Sequence, residues 1–361
     1  MKIAFLASCL EPGHDGVGDY TTLLAGECER LGHATRRLAL NDPHAVHTGV
    51  DAGPLRLSPS LPWQERVEKA GNFLSAFAPD FVSLQFVCYG FHPRGIDFGL
   101  ASRLREIIGP SPVHIMFHEL WIGAEKGAPL KDRFLGGLQR SCVLRVARAL
   151  DVRAVHASNS AYIAMLHERK IEASLLPLFG AIPFPRSASP VRGQGDPLVF
   201  GLFGALHPVW PPEPLFALLL KTGKKIAVAH IGGMGGGAAL WEKLEREYAG
   251  VIEFRKSGRQ PAGRIAEFFR SEIDFGIAIT PWELIGKSAG VAAMLEHGLP
   301  VIVNRDDWHA GDGASVAPAS PLLIKMDEEL PGKLSTVKRT EPQSTLPGVV
   351  AQFLGDLERA L

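Results

Sequence analysis

The chain has 361 residues, longer than one compact domain usually is, so we expect two domains that each bury a core. Lysine plus arginine (38) equals aspartate plus glutamate (38), and a chain without net charge is not expected to bind nucleic acid through a basic surface. No uninterrupted apolar run reaches the roughly 18 residues that a bilayer-spanning helix needs.

The cysteines are far apart, and none forms a C-x-x-C pair. They are Cys9, Cys28, Cys88 and Cys142. Neither a disulfide framework nor a zinc cluster is expected, and reduced thiols of this kind are typical of a cytoplasmic protein. The segment ending at Cys9 looks like a lipoprotein cleavage box, but the apolar stretch at 3–7 is too short for a signal peptide. We therefore expect a buried first strand there.

Short apolar runs alternate with helical patterns along both halves of the chain. In the first half, strands are predicted at 3–7, 35–40, 81–86, 113–118, 153–157 and 174–178. In the second half, they are predicted at 198–203, 225–231, 251–254, 274–280, 300–303 and 322–325, and an amphipathic helix is predicted at the end. Between the halves, a polar stretch rich in Pro and Gly predicts a linker at 184–197.

This pattern predicts an α/β protein with two Rossmann-like, doubly wound domains facing a cleft. The expected boundaries are 1–183 for the N-terminal domain, 184–197 for the linker, 198–345 for the C-terminal domain and 346–361 for the last helix. Ligands of such sheets bind beyond the carboxyl ends of the strands, so the cleft is the expected site.

The loop after the first predicted strand contains glycines that would let backbone amides approach a phosphate or a sugar. Gly13, Gly16 and Gly18 are spaced G-x-x-G-x-G, which differs from the G-x-G-x-x-G dinucleotide fingerprint. The alternative is a tight strand-to-helix turn in which Asp19 caps the helix. The sequence leaves both open.

Two other strand ends carry candidate binding residues. His118 ends the predicted strand 113–118, where it either faces the ligand or is a structural histidine. The run from Gly232 to Gly237 follows strand 225–231 and has five glycines, which fits either a nucleotide-facing loop or a flexible turn.

The clearest anion-site pattern follows the predicted strand 274–280. Gly286, Lys287 and Ser288 precede a helix predicted at 289–297, with Ser288 as its N-cap and Gly298 at its C-terminal end. Helix-start amides together with the Lys287 ammonium predict phosphate binding. The alternative is a capped helix with a solvated lysine. No D-x-D motif or supported histidine pair occurs, so no metal site is predicted.

In order and spacing, several segments resemble the retaining glycosyltransferases of family 4, which have the GT-B fold. They are 1–42 with its Asp15–Thr21 stretch, 117–121, 178–183, 200–204 and 293–302. The resemblance covers nearly the whole chain. It implies sugar transfer from a nucleotide-sugar donor held mainly by the C-terminal domain, without a required metal or other cofactor. The acceptor would lie on the N-terminal domain, and the last helix would pack back toward that domain.

On this interpretation, His118 is the catalytic residue and contacts the sugar or the attacking hydroxyl. The acceptor-binding residues would be Asp19, Tyr20 and Glu119. The donor-binding residues would be Gly16, Val17, Gly18, Gly204, His207, Gly232, Gly233, Glu283, Gly286, Lys287, Ser288 and Ala289.

The chain departs from the family pattern at two places. Ile285 and Ala293 occupy the positions of the family's paired glutamates, although Glu283 and Glu296 are nearby. The family's Arg and Lys after the first strand of the second domain are also missing, and we expect Lys287 to supply that charge.

The resemblance therefore predicts a glycosyltransferase with a glycan or lipid-linked acceptor and peripheral membrane contact. The alternatives are a glycosyltransferase-like protein that binds a nucleotide or glycan without turnover, and a nucleotide-sugar epimerase.

Overall fold

The computed structural model describes residues 1–45, 53–184, 191–193, 195–309 and 320–361. The described chain divides into two compact units. Unit 1 comprises Met1–Leu178, His309 and Leu346–Leu361, and unit 2 comprises Phe179–Trp308 and 320–345. The division follows Leu178, a few residues before the predicted domain end at 183. Of the predicted linker, residues 185–190 and 194 lie outside the described residues.

Unit 1 is built on a parallel sheet whose described strands have the order β3-β2-β1-β4-β5-β6-β7. The strands are β1 (Lys2–Ala7), β2 (Ala34–Ala39), β3 (Leu55–Arg56), β4 (Phe81–Phe86), β5 (Val113–Phe117), β6 (Val152–Ala157) and β7 (Ser174–Leu175). The helices are α1 (Gly16–Arg30), α2 (Trp63–Phe77), α3 (Leu100–Ile108), α4 (Leu130–Ala149) and α5 (Ser160–His167), with a 3₁₀ turn at Cys88–Gly90. Every residue of β4 and β5 is buried, as expected for strands covered on both faces.

Unit 2 repeats this architecture with the strand order β10-β9-β8-β11-β12-β13, again parallel. The strands are β8 (Leu198–Phe203), β9 (Ile226–Ile231), β10 (Ile252–Lys256), β11 (Phe275–Ala278), β12 (Val301–Val303) and β13 (Leu323–Lys325). The helices are α6 (Glu213–Leu220), α7 (Ala238–Glu247), α8 (Ala262–Glu267), α9 (Ala289–Glu296) and α10 (Leu330–Thr336). Gly235–Gly237 and Trp282–Lys287 are 3₁₀ turns, and Phe268–Glu272 is π-helical.

The core of unit 2 lies on both faces of its sheet. Phe200 of β8 packs in one cluster with Trp210 and Trp241, whereas its neighbour Val199 packs in the other with Phe268. Successive residues of a strand point to opposite faces, so a continuous apolar run fills two cores at once. This burial explains why the sequence predicts these strands.

In each unit the strand order reverses beside the first strand, between β1 and β4 in unit 1 and between β8 and β11 in unit 2. Loops at the carboxyl ends of strands that flank such a reversal form the usual ligand site of doubly wound folds. The predicted α/β class with two Rossmann-like sheets is confirmed. The two-residue strand β3 is not predicted by the sequence, and β7 ends at Leu175, before the predicted 178.

The last helix, α11 (Leu346–Ala360), belongs to unit 1. The ring of Phe353 lies 6.0 Å from that of Phe5 in β1, and Gln352 donates a hydrogen bond to the Leu175 carbonyl at 2.6 Å. Of the helices within the described ranges, none combines the length and apolar character needed to cross a membrane.

Candidate functional site

In unit 1, the loop at the reversal leads into a helix start that is already capped by a carboxylate. Asp15, not Asp19, is the N-cap of α1, and its Oδ1 accepts a hydrogen bond from the Val17 amide at 3.0 Å. The expectation that Asp19 caps this helix is wrong, because the helix begins at Gly16 and Asp19 lies in its first turn. Asp19 accepts instead from the Gly13 amide at 3.0 Å.

Of the candidate glycines Gly13, Gly16 and Gly18, only Gly18 is required by close packing. A Cβ on Gly18 would lie 2.7 Å from the Cys9 carbonyl oxygen, so only glycine fits there. A Cβ on Gly16 would meet nothing within 4 Å. Since the Val17 amide already donates to Asp15, Gly16, Val17 and Gly18 offer a phosphate fewer free donors than the spacing suggests.

Carboxylates surround this helix start. Asp42 is buried and accepts from the Leu10 amide at 3.0 Å and from Arg56 Nε at 2.7 Å. Burial opposes its ionisation, yet these bonds hold the pKa of Asp42 below the ordinary value. Burial, and then the charges of Asp19 and Asp42, raise the pKa of Asp15. The field at this helix start is therefore unfavourable for a diphosphate.

His118 follows β5 directly and is 6% exposed. Its Nε2 donates to Gln85 Oε1 at 2.9 Å, and its ring meets the Tyr20 ring edge-on with centroids 5.0 Å apart. The fold thus brings together two residues predicted for the sugar and the acceptor. Burial lowers the pKa of His118 to about 3, so the imidazole is neutral near pH 7. Glu119, the next residue, is half-buried.

A buried chain of hydrogen bonds runs from His118 to the C-terminal helix. Gln85 Nε2 donates to Ser83 Oγ at 2.8 Å, and that hydroxyl lies 2.8 Å from His114 Nδ1. His114 Nε2 lies 2.9 Å from His156 Nδ1, and His156 Nε2 lies 2.9 Å from Asp356 Oδ2. One assignment satisfies every link: each imidazole is neutral and carries its proton on Nε2. Burial lowers the pKa of His114 and of His156, although Asp356 opposes the shift at His156.

In unit 2, two glycines meet where β8 and β9 end. Gly204 follows β8 with φ of 82°, and Gly232 follows β9 with φ of 107°. A Cβ on Gly232 would lie 3.0 Å from the Gly204 nitrogen. His230 Nε2 donates to the Gly204 carbonyl at 2.8 Å, which fixes this strand end from within the core. Both predicted glycines are therefore needed by the backbone, and His230 is a supporting residue that the sequence patterns do not single out.

An arginine that sequence analysis did not select lies beside these glycines. The Gly232 amide donates to the Gly258 carbonyl at 2.8 Å, which brings the loop after β10 next to the loop after β9. A Cβ on Gly233 would lie 3.2 Å from Arg259 Nε. Arg259 is exposed and forms no ion pair with any residue that the structure describes. Its position after a predicted strand is the signal that would have found it.

The predicted anion site begins at the same edge of the sheet. The N-cap of α9 is Ser288, whose Oγ accepts from the Val291 amide at 3.3 Å, as predicted. A Cβ on Gly290 would lie 3.3 Å from the ring of Phe203, the last residue of β8. The start of α9 with Ala289 therefore packs beside Gly204. Glu283, Gly286 and Lys287 lie on the 3₁₀ turn that leads into this helix and are partly exposed.

Ile285 and Ala293, which the resemblance aligns with the paired glutamates of family 4, belong to the core. Ile285 is 4% exposed and Ala293 is 1% exposed, both within one apolar cluster. Glu296 is buried, and its two oxygens accept from the Gly180 amide at 3.1 Å and the Thr345 amide at 2.8 Å. Glu296 thus ties segments of unit 2 together and has little capacity left for a donor sugar.

His207 lies on the exposed loop after Gly204. Its Nδ1 accepts from the Val209 amide at 3.4 Å. The loop is anchored by Trp210, whose Nε1 donates to Asn304 Oδ1 at 2.8 Å. The structure thus holds this loop in place at the reversal while leaving His207 accessible.

Three of the solved structures that match this architecture are described here, and each of them is a glycosyltransferase. The apo form of the lipopolysaccharide outer core galactosyltransferase WaaB matches with a TM-score of 0.58 over 100% of this chain and 99% of that chain, at 15% identity. AviGT4, a glycosyltransferase involved in Avilamycin A biosynthesis, matches with a TM-score of 0.55 over 100% and 98%, at 13% identity. The chain has the GT-B fold.

A third match is the catalytic domain of starch synthase IV from Arabidopsis thaliana bound to ADP and acarbose, with a TM-score of 0.55 over 100% and 99% of the two chains and 11% identity. No protein-family model matches the sequence, and comparison with curated proteins finds no match. The predicted GT-B fold is confirmed, while membership of family 4 stays a prediction.

Proposed function

We propose that this protein is a cytoplasmic glycosyltransferase that moves a sugar from a nucleotide-sugar donor to a glycan or lipid-linked acceptor, with peripheral membrane contact. The observation that carries the proposal is the strand-end cluster of unit 2, defined as Gly204, Gly232, Gly233 and Arg259. Its glycines allow close approach to the backbone, and the guanidinium of Arg259 forms no ion pair with the described residues. The cluster extends from the end of β8, which borders the reversal where doubly wound folds bind ligands, across the ends of β9 and β10. The fold shared with glycosyltransferases supports it.

The donor diphosphate is assigned to this cluster and to the start of α9. The planar guanidinium of Arg259 presents several N–H donors, which suit phosphate oxygens. Lys287 and the first backbone amides of α9 add positive potential. In transfer, the bond between the sugar's anomeric carbon and the diphosphate oxygen breaks, and its electron pair stays on the diphosphate. The acceptor oxygen bonds to the anomeric carbon, and the proton of the acceptor hydroxyl passes to the departing phosphate oxygen. Charge then accumulates on the leaving diphosphate, where preorganised cations stabilise it most. A retaining, metal-independent course is part of this proposal.

His118 is proposed to contact the sugar or the attacking hydroxyl as a neutral imidazole. Because its Nε2 is committed to Gln85, the free lone pair is on Nδ1, which can accept a hydrogen bond. A pKa near 3 makes it a weak base, so its role would be orientation rather than full proton removal. The chain ending at Asp356 would hold its tautomer.

The second candidate is a protein that binds a nucleotide sugar without transferring the sugar. The buried Ile285 and Ala293 favour it, because the paired carboxylates of the family have no substitute at those positions. The interactions of Glu296 with Gly180 and Thr345 point the same way.

A thermal-shift screen of nucleotides and nucleotide sugars, followed by a product assay on each binder, separates these functions. Ligands that bind only the folded state raise Tm. Free nucleotide together with a new glycoside supports transfer. Binding without either product supports the second candidate, and an altered sugar still joined to its nucleotide indicates an epimerase. Repeating the assay with EDTA tests metal independence.

A further inference from the structure

Unit 1 contains a cavity of about 1100 Å³ that the proposed donor site does not use. It is lined by the loop 121–128, by the first half of α4 and by the end of α5. Two glycines of α4, Gly136 and Gly137, show how the wall of the cavity is packed. A Cβ on Gly136 would lie 1.8 Å from the Ile122 carbonyl oxygen, so the loop rests directly on the α4 backbone. A Cβ on Gly137 would meet nothing within 4 Å, because that position opens into free space.

The cavity has an excess of positive charge. Lys126, Arg133, Arg140 and Arg169 line it, against the carboxylates Glu125 and Glu168. Arg169 lies 3.8 Å from Glu168, whereas neither Arg133 nor Arg140 forms an ion pair within the described ranges. Two guanidinium groups on one helix are therefore left for an anion, in a chain whose overall charge is zero.

The rim of the same cavity is apolar. Leu130 is 80% exposed and Phe134 is 73% exposed, the two highest values among the large apolar side chains that the structure describes. They are four residues apart on α4 and therefore lie on one face of it. Scattered exposed apolar residues are ordinary, but two adjacent ones at the mouth of a cationic cavity form an amphipathic surface.

We propose that this surface binds anionic phospholipid headgroups of a bilayer. Lipid phosphates would pair with Arg133 and Arg140 inside the cavity, while Leu130 and Phe134 enter the boundary between headgroups and acyl chains. The inference deepens the membrane contact that is part of the proposed function, and it names the surface responsible. It places the α4 face of unit 1 on the membrane.

Sedimentation with vesicles, in the absence of any nucleotide sugar, tests the proposal. Binding is compared between vesicles of phosphatidylcholine alone and vesicles with about 30% phosphatidylglycerol, and we expect only the anionic vesicles to pellet the protein. R133Q/R140Q should lower partitioning about thirty-fold, since each cation near an anionic surface contributes about 1 kcal/mol. L130S/F134S should lower it about ten-fold or more.

Two matched controls are available in the same chain. Arg145→Gln with Arg148→Gln removes two exposed cations of α4 that do not line the cavity. Val209→Ser removes an apolar side chain of 71% exposure in unit 2. Both should bind vesicles as the unchanged protein does. Tm is measured for every variant. If the double variant does not fold, Arg133→Gln alone is used, because Arg133 is exposed.

Equal binding to both vesicle types, or unchanged binding of R133Q/R140Q, overturns the proposal. Full competition by soluble glycerol phosphate would assign the cavity to a soluble phosphorylated ligand instead. Loss of a dimer in L130S/F134S, measured by sedimentation velocity, would assign the rim to a second copy of this chain. Because no sugar donor is present, failure here leaves sugar transfer standing, and failure of the product assay leaves vesicle binding standing.

Discussion

The same structural position has opposite electrostatic character in the two units. Both sheets reverse their strand order beside the first strand, so β1 and β8 end at equivalent places. After β1, the helix start is capped by Asp15 and lies near Asp42. After β8, Gly204 adjoins a glycine loop beside Arg259, and α9 is capped by the uncharged Ser288.

The comparison shows that topology offers a binding position while the side chains decide its charge. A diphosphate brought to α1 would meet carboxylates, whereas one brought to the end of β8 would meet a guanidinium and helix-start amides. For that reason we assign the donor to unit 2 and leave unit 1 to uncharged groups such as acceptor hydroxyls.

The largest expected effect is that acid destabilises unit 1 more steeply than unit 2. His114, His118 and His156 have lowered pKa values in folded unit 1, so below about pH 6.5 the unfolded chain binds protons that the folded chain does not. The stability they contribute is complete above that pH and is lost as pH falls toward the folded values, about 3 for His118. The protons of these three imidazoles alone correspond to a slope approaching 4 kcal/mol per pH unit, and His33 of unit 1, whose pKa burial also lowers, adds to it.

These slopes are measured by denaturant titrations between pH 7 and 5.5. Hydrogen exchange of peptides from each unit monitors the unfolding of the two units separately. The slope of unit 2 is the reference. Its His230 has a pKa that burial lowers, and one such proton corresponds to about 1.4 kcal/mol per pH unit. His156→Gln should reduce the unit 1 slope by about the same amount. Parallel slopes in the two units would show that the imidazole chain is not neutral as assigned.

The next effect concerns Arg259. Arg259→Gln should weaken binding of a nucleoside diphosphate about ten- to hundred-fold, because a charge-assisted phosphate contact is typically worth about 1.5–3 kcal/mol. Binding of the corresponding nucleoside should be nearly unchanged, and calorimetry with both ligands distinguishes the two. The control is Arg255→Gln on β10, whose Nε is paired with Glu253 at 2.8 Å. Equal losses in the two variants would remove Arg259 from the site.

Lys287 is expected to contribute somewhat less, because it precedes the capped helix as a point charge. Lys287→Ala should reduce diphosphate affinity about ten-fold, and Lys287→Arg should retain part of the affinity. Added salt should weaken the unchanged protein more than the alanine variant. If nucleoside and diphosphate lose affinity equally, Lys287 acts on the structure of the loop rather than on phosphate.

The smallest effect is expected at Asp15 in unit 1. Asp15→Ala removes the cap of α1 and should lower the free energy of unfolding by about 1 kcal/mol. Asp15→Asn keeps a capping oxygen and should cost less. Neither variant should change diphosphate affinity by more than about two-fold. A large gain or loss of that affinity would mean that the diphosphate lies at α1 and that the assignment to unit 2 is wrong.

Most of the fold follows from local patterns in the sequence. Continuous apolar runs predict β4, β8 and β9 because such strands are buried on both faces, and local capping signals place both ends of α9 correctly. The strand β3 cannot be predicted from such patterns, because a strand of two residues is too short to show a periodic pattern. These are local properties, and each depends on residues within a few positions of one another.

Which candidate residues lie together depends on contacts between segments that are far apart in the chain. The contact of Gly233 with Arg259 depends on how neighbouring strands end, and Asp356 reaches His156 from a helix 200 residues further along the chain. The role of Glu296 depends on Gly180 and Thr345, which lie 116 and 49 residues away along the chain. Such contacts form between distant segments when the sheets pack, so no local pattern of residues encodes them.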